Sequence, residues 1–188
     1  GVYLDEDDLR IFGDQGCKVV YNPQSNMKLA SGCAPVSRML KAGIGVGLGT
    51  DGCASNNSLD MFREMNTAAK LEKVVHSDPT LMPAPTVVAM ATREGARVLG
   101  MDQMTGSLQP GLKADLIMID LQSPHLTPLY NPYSHLVYAA NGADVKNVFI
   151  NGRLVMKDRR LLTLNEEAIM AKVCQIAERI RHSLETPA

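Results

Sequence analysis

An excess of charge of either sign is missing from this chain. Its 19 basic residues are offset by 20 acidic ones, leaving a net charge of −1 with the two signs interspersed, so there is no electrostatic footprint for nucleic acid. Long apolar runs are missing too, since nothing reaches the roughly 18 consecutive apolar residues of a membrane helix. The opening residues Gly1-Val2-Tyr3-Leu4-Asp5-Glu6-Asp7-Asp8 are acidic where a secretory leader is basic and then apolar. The expectation is a cytoplasmic protein with neither nucleic acid nor membrane as partner. Cysteines are few and never spaced as CxxC: Cys17, Cys33, Cys53 and Cys174 are scattered, which argues against a zinc knuckle and a disulfide scaffold. They are expected to be reduced and mostly buried as small hydrophobes. Tryptophan is absent while 11 methionines are present, which points to a core filled by flexible thioethers. No H-x-H, H-E-x-x-H, G-x-S-x-G, Walker loop, EF-hand loop or P-C-x-x-C occurs.

What is present is an ordinary globular composition, 45% hydrophobic and 21% charged over 188 residues, enough for one domain or one and a half. Residues 4–15 read as a short amphipathic helix with acids in its first turn, and Cys17–Tyr21 as a buried strand stopped by Asn22-Pro23. A polar loop, Gln24-Ser25-Asn26, leads to a helix over Pro35–Ala42, which Gly43 ends. Ile44–Leu48 is the next strand. Strand, helix and strand in short succession predict a parallel α/β sheet or barrel. Helices follow over Met61–Val75, with Met61, Met65, Ala68, Ala69 and Leu71 inward, and over Pro85–Leu99. From about Thr105 the pattern changes. Ala114–Asp120 is a strand, Ser123–Pro132 a proline-rich loop, and Asn151-Gly152 the turn of a hairpin. Lys157-Asp158-Arg159-Arg160 reads as a second turn. Residues 165–188 hold a closing helix with Ile169, Val173, Ile176, Ala177 and Ile180 as its apolar stripe. The predicted units are residues 1–104, residues 105–164 and that terminal helix.

The run Gly43-Ile44-Gly45-Val46-Gly47-Leu48-Gly49-Thr50-Asp51-Gly52 carries a single carboxylate to the end of a strand among glycines. It contains G-x-G-x-x-G, the dinucleotide fingerprint. Two physical points weigh against that reading. A polar stretch separates the glycines from the next helix, and Asp51 would set a negative charge where a pyrophosphate must sit. A carboxylate at the C-terminal end of a barrel strand is instead where catalytic and metal-binding groups stand. Spacing alone leaves an Asx-turn equally open, because one aspartate makes no metal site. The histidines complete none either: His76, His125, His135 and His182 read as structural or solvent-facing.

Longer blocks carry a resemblance. Asn22-Pro23-Gln24-Ser25-Asn26-Met27-Lys28-Leu29-Ala30-Ser31-Gly32 with Ala34-Pro35-Val36, then Gly49-Thr50-Asp51-Gly52, Ala54-Ser55-Asn56-Asn57 and Leu59-Asp60-Met61-Phe62, resemble the amidohydrolase superfamily. Ala91-Thr92-Arg93-Glu94-Gly95-Ala96, Gly106-Ser107-Leu108, Pro110-Gly111, Lys113-Ala114-Asp115-Leu116 and Asn151-Gly152 are similar to its C-terminal signature. Within the superfamily the match is to the 5-methylthioadenosine/S-adenosylhomocysteine deaminases and the related chlorohydrolases.

The resemblance implies the C-terminal part of a metal-dependent (β/α)8 barrel, an α/β fold, with part of a small β-sandwich. Cys17–Tyr21 would be the seventh barrel strand and Ile44–Gly49 the eighth. Asp51 would bind the metal, touch substrate and take the proton of the attacking water. Asn22, Ser25, Asn26, Ser55 and Asn56 would be substrate-binding residues, although turn formation explains them as well. One divalent metal is implied, zinc by resemblance, with the histidine ligands and a proton-shuttling glutamate outside this chain. The chain starts at Gly1 rather than Met and reads as a fragment whose first partner is its missing N-terminal part; a homo-oligomer is open. Many relatives carry histidine where this chain has Tyr21 or Asn22, so that wall of the pocket departs from the pattern. The implied activity is hydrolytic deamination of the adenine ring of methylthioadenosine or S-adenosylhomocysteine. The alternatives are a triazine-type chlorohydrolase or other heterocycle deaminase, and a catalytically silent segment that only pairs with its other half.

Overall fold

The computed structural model describes residues 1–185. Helix α1 (Glu6–Asp14) begins in a reciprocal capping box, where the Asp5 carboxylate accepts the Asp8 N–H and the Asp8 carboxylate accepts the Asp5 N–H. Strands β1 (Lys18–Tyr21) and β2 (Gly45–Leu48) then pair in parallel, Lys18 opposite Gly45 and Tyr21 opposite Leu48. Parallel partners need a crossover connection, here made by α2 (Pro23–Lys28) and α3 (Val36–Lys41). Helix α2 replaces the polar loop expected at Gln24-Ser25-Asn26. Pro23 occupies its first turn, where its missing N–H costs nothing, and Asn26 N–H already reaches back to the Asn22 carbonyl.

Helix α4 (Met61–His76) is capped by Asp60, which accepts the Phe62 N–H at 2.9 Å. Its buried side differs from expectation: Met61 and Leu71 are half-buried, and Glu64 and Glu72 lie inside with Phe62, Met65, Ala68 and Ala69. The two acids have a common task. Neither α2 nor α3 has a side-chain cap of its own, and their first N–H groups lack intrahelical partners. Glu64 accepts the N–H of Gln24, the second residue of α2, and Glu72 that of Ser37, the second residue of α3, both at 3.2 Å. Negative charge is favourable at both helix starts. Helix α4 thus caps its two predecessors from the side.

The single helix expected over Pro85–Leu99 is two, α5 (Ala84–Ala91) and α6 (Arg93–Val98). Thr92 breaks it with a non-helical backbone (φ −127°, ψ −101°), its hydroxyl donating to the Val88 carbonyl at 2.7 Å. The break lays α6 on β2 so closely that a Cβ on Gly47 would stand 3.0 Å from the Gly95 Cα. The backbone approach is what these glycines permit.

A second sheet contains β3 (Leu116–Ile119), β4 (Val145–Ile150), β5 (Arg153–Lys157) and β6 (Arg160–Leu161), in that order and antiparallel. The hairpin turn at Asn151-Gly152 has φ of +50° and +76°, as a two-residue turn between twisted strands requires. Between β3 and β4 lies α7 (Pro132–Tyr138), which packs on α4 and α5. Asn66 of α4 donates to the Val137 carbonyl at 3.0 Å. One apolar core therefore runs from Leu9 through Met39, Met65 and Met90 to Val137 and Met156.

Three further expectations fail on burial. The strand expected to be buried over Cys17–Tyr21 buries only Tyr21, and Val20 is exposed because the described residues place no element over it. None of the four free cysteines is buried: Cys17 and Cys33 are half-buried, Cys53 and Cys174 exposed. The last helix, α8 (Glu166–Glu185), forms, but its stripe of Ile169, Val173, Ile176, Ala177 and Ile180 stays exposed rather than closing on the described residues. No helix among the described residues is long and apolar enough to cross a membrane.

The close fit of β2 on α6 is testable. Gly47→Ala should destabilise the protein by about 1–3 kcal/mol through overpacking. Gly45→Ala, whose Cβ would meet only the Lys18 Cγ at 3.6 Å, should be neutral or better. Denaturant unfolding of the two variants measures the difference.

Candidate active site

Parallel pairing brings the C-terminal ends of β1 and β2 to one edge, where the Gly49 N–H donates to the Tyr21 carbonyl at 2.9 Å. The loops that follow consequently meet. Ser25, 3% exposed at the base of α2, donates its hydroxyl to Asp51 Oδ2 at 2.7 Å. The Gly52 N–H donates to Asp51 Oδ1, also at 2.7 Å. That bond runs to the next residue, whereas an Asx-turn bonds two residues on. The Asp51 backbone is left-handed (φ +59°), a conformation aspartate tolerates better than most residues, and its carboxylate is exposed. The Ser55 and Ser25 hydroxyls and the Gly52 amide favour its charged form and hold the carboxyl below the usual carboxylate range.

The other expected residues divide by what they touch. Asn22 directly precedes α2, and a Cβ on Gly49 would come within 2.5 Å of its Oδ1, so the glycine there makes room for this side chain. Asn26 is half-buried, and its carbonyl accepts the Ser31 N–H. The Ser55 hydroxyl donates to the Gly52 carbonyl at 3.1 Å. Asn56 faces inward at 4% exposure: its amide nitrogen donates to the Thr50 carbonyl at 2.8 Å and to Glu64 Oε1 at 2.6 Å, and its oxygen accepts the Ser58 N–H. Lys28 ties the same loop to α2 through the Ala54 carbonyl and Asn57 Oδ1. Tyr21 is 2% exposed, and burial with the charges of Glu72, Cys33 and Glu64 raises its phenol well above the usual value. Of the two positions where many relatives carry histidine, Tyr21 is thus buried and Asn22 half-buried.

Glu64 carries no mark in the sequence that singles it out as part of the site. It is fully buried, and burial pushes its carboxyl above the ordinary value against the bonds from Gln24 and Asn56, which lower it. The available signal was an acid one helical turn from Ala68 on the buried stripe.

Asp51 suits one corner of a metal site. An ionised carboxylate accepts about four hydrogen bonds or ligands, so the Ser25 hydroxyl and the Gly52 amide leave room for a cation. Zinc takes about four protein or water ligands, and among the described residues no group of three or more His, Cys, Asp or Glu could hold a metal.

Residues 1–155 match the model of the amidohydrolase family. The chain belongs to that family. A 5-methylthioadenosine/S-adenosylhomocysteine deaminase 1 of Syntrophus aciditrophicus is 72% identical over 99% of this chain. A 5′-deoxyadenosine deaminase of Methanosarcina mazei is 48% identical over 95%. The chain spans 42% and 41% of these two relatives. Among solved structures, a zinc-bound adenosine deaminase of Xanthomonas campestris superposes with a TM-score of 0.94 at 40% identity, over 96% of this chain and 41% of its own. An atrazine chlorohydrolase of Arthrobacter aurescens with zinc gives 0.80 at 26%, over 93% and 39%. The α/β structure is thus part of an amidohydrolase barrel fold, and β1 and β2 alone do not close a barrel.

Removing the hydroxyl next to Asp51 should shift its titration. Ser25→Ala in metal-free protein is expected to raise the Asp51 pKa toward the ordinary carboxylate value of about 3.9. Because the folded value lies below the unfolded one, Asp51 contributes stability above the ordinary value and loses it as pH falls through the folded one. Ser25→Ala narrows that window. Carboxyl-carbon NMR titration of both proteins reads the shift.

Proposed function

We propose that the protein carrying this chain is a hydrolytic deaminase of the adenine ring in 5′-modified adenosines such as 5-methylthioadenosine or S-adenosylhomocysteine. The observation that carries the reading is Asp51: a charged, exposed carboxylate at the end of β2, held by a buried serine from the end of β1. The deaminase relatives at 72% and 48% identity support the substrate class.

A divalent metal at Asp51, zinc as in the related structures, would supply Lewis acidity that lowers the pKa of a bound water to about 7. Proton handling falls to the chain's own residues. Asp51 stays ionised through its hydroxyl and amide donors, so it can accept a proton as water adds at C6 of the ring. The same proton can then pass toward the departing amino group, which leaves as ammonia. Ser25 keeps the carboxylate from rotating. Asn22 and Asn26 line the approach from α2, and Ser55 that from the second loop, as candidate substrate contacts; Asn56 acts from behind through Thr50.

Asp51→Asn in the full-length protein should lower kcat by on the order of 10²–10⁴ by removing the proton acceptor, with the fold retained by circular dichroism. Ammonia release from 5-methylthioadenosine, S-adenosylhomocysteine and 5′-deoxyadenosine is the assay. Parental turnover by the variant, or chloride release from a chlorotriazine in place of ammonia release, would refute the reading. Residues 1–188 alone should neither bind zinc tightly nor deaminate.

A further inference from the structure

We infer that Glu64 is the positioning residue of Asp51, its two carboxylate oxygens fastening the loops after β1 and β2 from behind. This role rests on Asp51 being the catalytic carboxylate proposed for the deaminase. Glu64 Oε2 accepts the Gln24 N–H at 3.2 Å, and Gln24 directly precedes Ser25. Glu64 Oε1 accepts from Asn56 Nδ2 at 2.6 Å, and that nitrogen also donates to the carbonyl of Thr50, which directly precedes Asp51. Each oxygen therefore controls the residue adjacent to one partner of the 2.7 Å Ser25–Asp51 bond. Glu64 has no exposed surface, so it cannot itself meet a ligand in this arrangement.

The chemistry requires an ionised acid at this point. Both groups that face it are donors, and a carboxylate accepts on both oxygens whereas a glutamine side chain accepts on one and donates from the other. Glu64→Gln therefore keeps the size and breaks one arm. The molecule contains its own control: Glu72 lies two turns further along α4, is equally buried, and holds Ser37 of α3 by the same kind of bond. Ser37 leads to no residue of the site.

The test uses the full-length protein with Glu64→Gln, Asn56→Ala, Glu72→Gln and Asp51→Asn. Melting temperature, zinc affinity by chelator competition, kcat and KM are measured for each. Displacing the partner of a metal-binding group costs about 10–100-fold in metal affinity or activity. Glu64→Gln should show that loss in both zinc affinity and kcat, with KM little changed. Asn56→Ala, which keeps Glu64 and the Gln24 arm but removes the link to Thr50 together with the bond to the Ser58 N–H, should move the same way and decides the matter if Glu64→Gln fails to fold. Glu72→Gln should lower the melting temperature while leaving zinc affinity and kcat at the parental level. The inference is overturned if Glu64→Gln and Asn56→Ala lose stability as Glu72→Gln does but keep parental zinc affinity and kcat. Asp51→Asn separates the two levels: if it loses zinc affinity and turnover while the Glu64 and Asn56 variants keep both, only the positioning role falls. If Asp51→Asn itself keeps both, the assignment of Asp51 fails and the role of Glu64 with it.

Discussion

The parallel register of β1 and β2 is the constraint on which the rest depends. Tyr21 and Leu48 are opposite one another, so the chain leaves both strands at the same edge and the two following loops have to share space. An antiparallel pair would have sent Ser25 and Asp51 to opposite ends. Glycine makes the register usable: Gly47 admits the backbone of α6, and Gly49 admits the side chain of Asn22. The alternation of glycine and aliphatic residues that looks like a phosphate cradle is a packing device, and α4 begins only at Met61, well beyond it.

Once the two loops share an edge, something must hold them there, and helix α4 does so with acids rather than apolar side chains. Burying a carboxylate costs free energy unless it is hydrogen-bonded. Glu64 and Glu72 meet that condition by taking the orphan N–H groups of α2 and α3, which no local side chain caps. Two deficits thereby cancel: uncapped helix starts and desolvated charges. Glu64 adds the Asn56 amide, which joins the second loop to the same anchor. The electrostatics of Asp51 follow from this arrangement, since Ser25 is aimed at it by a helix whose first turn Glu64 holds.

Local patterns in the chain were readable where one segment settles its own structure. The Asn151-Gly152 hairpin formed because both residues accept a left-handed backbone, and α1 formed because Asp5 and Asp8 cap each other. Asp51 could be picked out as a carboxylate in a glycine-rich strand end, and the role proposed for it comes from the family resemblance. Elements decided by neighbours were misread. Gln24-Ser25-Asn26 has loop composition, yet a buried glutamate forty residues on caps it into a helix. Thr92 carries no local breaker signal, yet the helix breaks there and α6 lies against Gly47. The stripe of α8 has helical periodicity, but periodicity does not say what covers it.

The amino-acid sequence by itself determined the class of the fold and the family, and it singled out Asp51 as a carboxylate at a strand end. Those rest on short-range chemistry: strand and helix periods, turn residues, and blocks of side chains in fixed order. Only the tertiary structure decided what Asp51 touches and why it stays charged. Its partners come from another strand's loop, and the group that aligns them, Glu64, lies inside a helix that reads as apolar on that face. Such bonds join residues far apart in the chain, so no local pattern records them.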